Sequence, residues 1–196
     1  MTISRLVLLL PMVALACSRS SPAPSASETA QDAAAAVVED AAPKKVEPLS
    51  IGAEGLGPLR LGMSKTEIES IETMSFTPTE LELEGQKTPA LRATREGKPV
   101  ATIELENDRA SRIHVESSDA KTAKGAHVGM TAKELEAAHG QGKVLTGEGK
   151  VCSTFEGAPG LSFCFRDAKP DVKEFSELVE SEATVEEILV VGQKSD

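Results

Sequence analysis

Three cysteines and three histidines are the residues of this 196-residue chain whose types are best suited to chemistry. The histidines, His114, His127 and His139, are not spaced as metal ligands, and no serine or cysteine lies in a recognised nucleophile motif. His114 alternates with apolar neighbours, which places it on the polar face of a strand. His139 precedes Gly140 at a predicted helix end, where the helix dipole favours positive charge. The sequence therefore predicts a non-catalytic protein without a metal or cofactor.

Cys152 and Cys164 can be placed opposite each other in a β-hairpin over residues 151–167. Facing apolar residues with apolar residues sets Val151 against Phe165, and the two cysteines then form a directly opposed pair. Opposed residues of antiparallel strands lie about 4.5–5.5 Å apart, within the reach of a disulfide. We expect a disulfide between these two cysteines, with two free thiols as the alternative.

The third cysteine, Cys17, follows an apolar run at residues 6–16. The run is too short to span a bilayer, which needs about 20 residues, and it is typical of a secretory signal. The residues VALAC at 13–17 resemble the lipobox of bacterial lipoproteins, although Ala14 stands where that pattern usually has leucine. The resemblance implies removal of residues 1–16, a diacylglycerol thioether on Cys17 and a fatty acyl group such as palmitate on the new amino terminus. An ordinary cleaved signal is the alternative.

Residues 17–48 are rich in serine, alanine and proline, and we expect them to form a disordered tether. The chain carries a net charge of −10, which disfavours nucleic acids and anionic membrane surfaces as partners. The lipid must then provide the attachment. We expect a protein lipid-anchored to the cell envelope, in the outer membrane and facing the periplasm, with the inner membrane and the outer surface left open as alternatives.

Two capping boxes mark the starts of two helices in the folded part of the chain. In Ser64-x-x-Glu67 and Thr131-x-x-Glu134, the hydroxyl accepts from the backbone N–H three residues ahead and the glutamate reaches back. A Gly-Met pair precedes each box. These signals divide the folded part into a first repeat at 49–119 and a second repeat at 120–196, which together form one compact unit.

The strand patterns of the two halves align without a gap over 91–107 and 151–167, and one further strand pattern follows in each half. We therefore predict an α+β fold made of two tandem repeats. Each repeat is a capped helix plus a three-stranded antiparallel meander, and the two form one curved sheet with the helices on one face. The second half has an insertion, KPDVKEFSELVESEA at 169–183. Residues 171–184 form either a short amphipathic helix or an acidic loop.

Strand register can be predicted by facing apolar residues with apolar residues. In the first hairpin this pairs Leu91 with Leu105 and sets Arg92 opposite Glu104 as an ion pair. In the next hairpin it pairs Ile103 with Ile113. That pairing predicts a connecting loop of three or five residues and excludes a two-residue loop.

The segments GLGPLRLGMSKTEIE and GAHVGMTAKELEAAHG resemble the Gly-Met-Thr helix opening of the β-lactamase-inhibitor-like proteins. That group includes the SmpA/OmlA-like lipoprotein subunit of the outer-membrane β-barrel assembly machine. The resemblance implies one long curved sheet with helices on its convex side, and a concave face that contacts partners.

The polar face of the predicted sheet is the candidate binding face. Its residues are Arg92, Thr94, Thr102, Glu104, Arg112, His114, Thr154 and Ser162. We expect a membrane-anchored module that binds or scaffolds an envelope protein, with no small-molecule substrate. An inhibitor of a hydrolase is the alternative function, but five phenylalanines and no tryptophan or tyrosine leave few of the aromatic anchors that tight interfaces use. The identity of the partner and the oligomeric state stay open.

Overall fold

The computed structural model describes residues 48–83, 85–147 and 149–192, and strands dominate this part of the chain. Strands account for 48% of it and helices for 13%. The strands are β1 (Ser50–Gly52), β2 (Gly55–Leu56), β3 (Leu59–Arg60), β4 (Ser75–Leu83), β5 (Gln86–Arg95), β6 (Lys98–Glu106), β7 (Arg109–Val115), β8 (Lys121–Thr122), β9 (Lys143–Gly147), β10 (Lys150–Thr154), β11 (Leu161–Arg166) and β12 (Thr184–Val190). The helices are α1 (Lys65–Glu69), α2 (Ala132–His139) and α3 (Phe175–Glu180).

These strands form a large sheet and a small sheet. The large sheet has eight strands in the order β4-β5-β6-β7-β12-β11-β10-β9, and all neighbours in it are antiparallel. Two consecutive four-strand meanders, β4 to β7 and β9 to β12, therefore meet where β7 pairs with β12. The small sheet has the order β3-β2-β1-β8, with β1 and β8 parallel.

The predicted α+β class is wrong, because the described residues form 12 strands in two sheets and only 3 short helices. The prediction missed the outer strands β4 and β9. In the first, Pro78 interrupts the strand and only Leu81 and Leu83 alternate with charged residues; in the second, four of the five residues are exposed, so neither shows a full strand pattern. It also missed the small sheet, whose strands of two or three residues are too short to show a period.

A single hydrophobic core lies against one face of the large sheet. Ile103 and Ile113 from β6 and β7 are fully buried in it, and Phe163 and Ile188 contribute the same face of β11 and β12. The other elements contribute their own fully buried side chains, which are Leu56, Leu59, Ile68, Leu135 and Leu178. Helices and the small sheet thus cover together the face that the sequence assigned to helices alone. No helix in the described part of the chain is long and apolar enough to cross a bilayer.

The two Gly-Met motifs make equivalent contacts, which explains why the sequence contains both. In each motif the glycine N–H donates to the backbone carbonyl of a residue in the last strand of the meander, and the N–H of that same residue donates to the methionine carbonyl. The residue is Ala110 for Gly62-Met63 (2.8 and 2.9 Å) and Val185 for Gly129-Met130 (2.7 and 2.8 Å). Both glycines have positive φ, 78° and 94°, a conformation that disfavours other residues. Each motif therefore joins the start of a helix to the last strand of its meander.

The predicted capping boxes at Ser64 and Thr131 are both confirmed by reciprocal hydrogen bonds with Glu67 and Glu134. The insertion contains a helix, but a short one, since α3 covers only six residues. Its first turn is closed by the Glu177 carboxylate, which accepts from two backbone N–H groups at 3.0 Å each.

The register of Ile103 with Ile113 is confirmed, but the loop prediction that followed from it is wrong. Only Asn107 and Asp108 connect β6 to β7, and both have positive φ, as a tight two-residue hairpin turn requires. A bulge in β7, with Ser111 as the extra residue opposite Glu104 and Leu105, shifts the register by one and so reconciles the short turn with the pairing.

Candidate functional site

The predicted binding residues do lie on strands of the large sheet. They come from β5 (Arg92 and Thr94), β6 (Thr102 and Glu104), β7 (Arg112 and His114), β10 (Thr154) and β11 (Ser162). Strand register sets Thr102 opposite His114 and Glu104 opposite Arg112. In β7 these residues alternate with the core residues Ile113 and Val115, so they project from the side of the sheet opposite the core. We call this side the polar face.

The centre of the polar face is buried, which the sequence did not indicate. Thr102, His114 and Ser162 expose only 1%, 5% and 6% of their surface. The side chain of Arg92, by contrast, is 44% exposed. The water-accessible part of the polar face is therefore made by long charged side chains that surround a buried polar centre.

The predicted ion pair between Arg92 and Glu104 is wrong. The hairpin turns at Glu96 and Gly97 and has a one-residue bulge at Val100 of β6. Together these place its pairing two positions from the predicted one, so Arg92 faces Thr102 and Glu104 faces Ala90. Arg92 instead approaches Glu116 (Nη1 to Oε2, 3.7 Å). The hydroxyl of Thr102 donates to the other oxygen of that carboxylate at 2.8 Å. A carboxylate just beyond the end of β7 thus holds residues of two neighbouring strands.

Glu104 lies between the side chains of Arg112 and His114 on β7. Its Oε2 is 3.6 Å from Nη1 of Arg112 and 3.7 Å from Nε2 of His114. The Oε2 of Glu104 and the Nε2 of His114 are both buried and have no hydrogen-bond partner in the described part of the chain. The side chain of Glu104 is only 16% exposed, so its charge is balanced mainly by the guanidinium of Arg112.

Glu187 of β12 links the two meanders on the same face. Its carboxylate accepts from Nδ1–H of His114 in the first meander and from the ammonium of Lys150 in the second. Burial opposes ionisation of Glu187, but these two hydrogen bonds and the charges of their donors outweigh it. The pKa of the Glu187 carboxyl therefore lies below its ordinary value.

Sequence reasoning missed Glu116, Lys150 and Glu187 as members of this cluster. In β12, Val185 and Ile188 both face the core although they are three residues apart. A bulge in the β11–β12 pair interrupts the alternation between them, so the sequence pattern does not show that Glu187 lies on the polar face. More importantly, the residue pair His114 and Glu187 is separated by 73 positions, and nothing in the sequence shows that β7 and β12 are neighbours.

The predicted disulfide is confirmed as a bonded pair. Cys152 and Cys164 are directly opposed in the β10–β11 pair, with an S–S distance of 2.08 Å and a Cα separation of 3.9 Å. The second-hairpin register on which that prediction depended, with Val151 facing Phe165, is also confirmed. Cys17 lies outside the described residues.

His139 lies at the end of α2, where it was predicted, but its surroundings oppose a positive charge. Its ring contacts those of Phe155 and Phe163 at centroid distances of 5.7 and 5.8 Å. Burial is the main cause that lowers the pKa of His139, and the charge of Lys124 acts in the same direction. The nearby backbone of Gly157 acts in the opposite direction and is outweighed.

Within the described ranges, no three histidine, cysteine, aspartate or glutamate residues group as metal ligands.

These features define the class of the protein as a β-rich domain with a long antiparallel sheet, a buried core on one face and a charged cluster on the other. No protein-family model matches the sequence, and a comparison with curated proteins finds no relative. Among solved structures, the chain is similar to the uncharacterised protein yfeY from Escherichia coli, with a TM-score of 0.55 and 16% identity. The similarity covers 72% of this chain and 99% of yfeY, and at this identity it concerns the fold alone.

Proposed function

We propose that this protein is a non-catalytic, lipid-anchored envelope protein that binds another protein through the exposed margin of the polar face. The observation that carries the proposal is the arrangement of charged side chains around a buried polar centre. Arg92, Glu116 and Lys150 have side chains 44%, 37% and 40% exposed, while their neighbours His114 and Glu187 are buried. Ion pairs hold these exposed groups in fixed positions, which reduces the entropy lost when a partner binds.

A protein is the partner class that this surface favours. The cluster contains both signs of charge side by side, which suits the mixed surface of a protein better than a polyanion. The chain as a whole carries −10, which further disfavours nucleic acid. The five phenylalanines all lie in the core or against it, so no exposed aromatic anchor favours the hydrolase-inhibitor alternative.

Membrane attachment rests on the sequence around Cys17, and the disulfide supports export to an oxidising compartment. We expect a Cys17→Ser variant to leave the membrane fraction, because it cannot form the thioether. Fractionation of cells that express either form, followed by intact-mass measurement, checks this. A Cys17→Ser protein that still sediments with membranes and is still processed contradicts lipid anchoring.

The binding face can be tested by site-specific crosslinking in the native envelope. A photoreactive amino acid at position 92, on the polar face, should capture a discrete protein. The matched control carries it at position 133, because Lys133 is exposed on α2. A second photoreactive probe at position 150 should capture the same protein, and Arg92→Ala should weaken this capture. The same substitution should lower the free energy of unfolding by only about 0–1 kcal/mol, as for other exposed ion pairs. Capture at position 133 and not at positions 92 or 150 contradicts the assignment of the face.

A further inference from the structure

Strand β9 (Lys143–Gly147) is an edge of the large sheet whose protection against strand pairing is limited to its short length and to Lys143 at one end. Among the described residues it pairs only with β10. Four of its five residues are exposed, including Leu145, whose exposed fraction is 43%. The opposite edge, β4, carries Pro78 and the charged Glu80, which pairs with Lys87 of the neighbouring β5, and proline and charge are typical devices against edge-to-edge association. β9 has no proline and no bulge within its pairing.

The register of β9 shows which of its backbone groups point outward. Gly147 and Lys150 flank a two-residue connection, and residues in that position form a hydrogen-bonded pair. Alternation then directs the backbone N–H and C=O of Lys143, Leu145 and Gly147 towards β10. Those of Val144 and Thr146 point away from the sheet, ready to bind another strand.

We propose that β9 pairs antiparallel with β9 of a second copy of this chain, centred on Leu145, so that the two large sheets become continuous. In this register Val144 of each copy faces Thr146 of the other, and the outward groups of both residues form four hydrogen bonds. Leu145 faces Leu145 of the second copy in the closely spaced, non-hydrogen-bonded position, which covers an exposed apolar side chain.

The strand is self-complementary in charge as well as in backbone geometry. Lys143 of one copy faces Gly147 of the other, so the two lysines lie about 13 Å apart along the strands and do not oppose each other. A second copy therefore fits the edge without buried like charges. Pairing of five-residue strands covers a small area, which places the dimer in the weak, reversible class.

Engineered cysteines test this register directly in the full chain. The double variant Lys143→Cys/Gly147→Cys should form a covalent dimer under mild oxidation, because the paired positions lie about 4.5 Å apart. Space is available for the second change, since a Cβ at Gly147 meets nothing within 4 Å. Each single variant should give little covalent dimer, because its engineered cysteine lies far from the same cysteine of the second copy. Equal crosslinking by the single variants, or none by the double variant, overturns the proposal.

Charge substitution provides a second, non-covalent measurement. Leu145→Lys sets two like charges opposite each other and should weaken dimerisation at least about tenfold in sedimentation velocity. Glu82→Lys on the opposite edge strand is the matched control and should leave the dissociation constant unchanged. Circular dichroism should show that both variants keep the fold of the parent. A protein that is monomeric at all concentrations tested, or a dimer insensitive to Leu145→Lys, also overturns the proposal.

Discussion

At the end of α2, the burial of a single histidine outweighs the field of its helix. The C-terminal end of a helix favours a positive charge by about 0.3–1 kcal/mol at exposed positions. Both ring nitrogens of His139 are, however, buried without a hydrogen-bond partner in the described part of the chain. The sequence identified the position of this residue correctly, but its contacts with Phe155 and Phe163 depend on the tertiary structure. The pKa of His139 is accordingly lowered and not raised.

This lowered pKa predicts a stability that depends on pH. Because the folded state favours neutral His139, its contribution is fully present above the ordinary value of 6.5 and is lost as the pH falls through the folded pKa. We expect a loss of about 0.5–1 kcal/mol, discounted for the partial exposure of the residue. His139→Phe, which preserves the ring contacts, should remove this loss. Urea unfolding between pH 7.5 and 5.5 measures it, and an unchanged pH dependence in the variant contradicts the argument.

His139→Gln is the informative control for that experiment. Glutamine also removes the titration, but it leaves a polar group among phenylalanine rings. The free energy of unfolding of His139→Gln should therefore be lower than that of His139→Phe at every pH, by about 1–3 kcal/mol. A difference between the two variants that is independent of pH separates the cost of burying a polar group from the cost of protonation.

At the scale of elements, features that depend on side chains close in sequence were predictable, whereas bulges and turn positions were not. The capping boxes depend on side chains three residues apart, so Ser64 and Thr131 were identified correctly. The second hairpin has the predicted register because its strands are apolar on both sides of the predicted pair Cys152–Cys164. The predicted register of the first hairpin is wrong because the pairing depends on a bulge at Val100 of β6 and on the position of the turn, and the apolar pattern shows neither.

The position of the turn also explains why the register of the first hairpin differs from the predicted one. Glu96 and Gly97 connect β5 to β6, with φ values of 53° and 76°, and the tight turn fixes where the strands begin to pair. Apolar matching alone chose a different centre for the hairpin. An exact register therefore requires the position of the turn and that of the bulge together, because each changes the pairing and composition reveals neither.

The disulfide predicts the behaviour of the β10–β11 hairpin. Its cysteines are 12 positions apart, and closing a loop of this size stabilises the folded state by about 3 kcal/mol in the chain-entropy treatment. We expect Cys152→Ala/Cys164→Ala to lower the free energy of unfolding by about that amount. Reduction of the parent protein should produce a similar loss in chemical unfolding, whereas it should leave the variant unchanged. A variant as stable as the oxidised parent contradicts this assignment.

At the scale of the whole molecule, the junction of β7 and β12 joins the two meanders. Ile188 pairs with Val115 and Val190 with Ile113, so the core is continuous across the junction. The sequence indicated the strands of each half but not that the last strand of each would be neighbours. Glu187 crosses this junction on the polar face, where it accepts from His114 and Lys150. One carboxylate thus connects β7, β12 and β10.

Glu187 should consequently contribute to the acid stability of the whole domain. Its lowered pKa means that the contribution is present above the ordinary value of 4.5 and is lost as the pH falls through the folded pKa. At pH 7 we expect Glu187→Gln to cost about 1–3 kcal/mol, since it weakens hydrogen bonds to two charged groups. The neighbouring Glu186→Gln is the control, because its contact with Arg166 is 3.9 Å long and partly exposed, worth about 0–1 kcal/mol. The parent and Glu187→Gln should converge in stability on acidification. A difference between them that stays constant from pH 7 to pH 3 would show that the shape of the side chain, and not its charge, stabilises the junction.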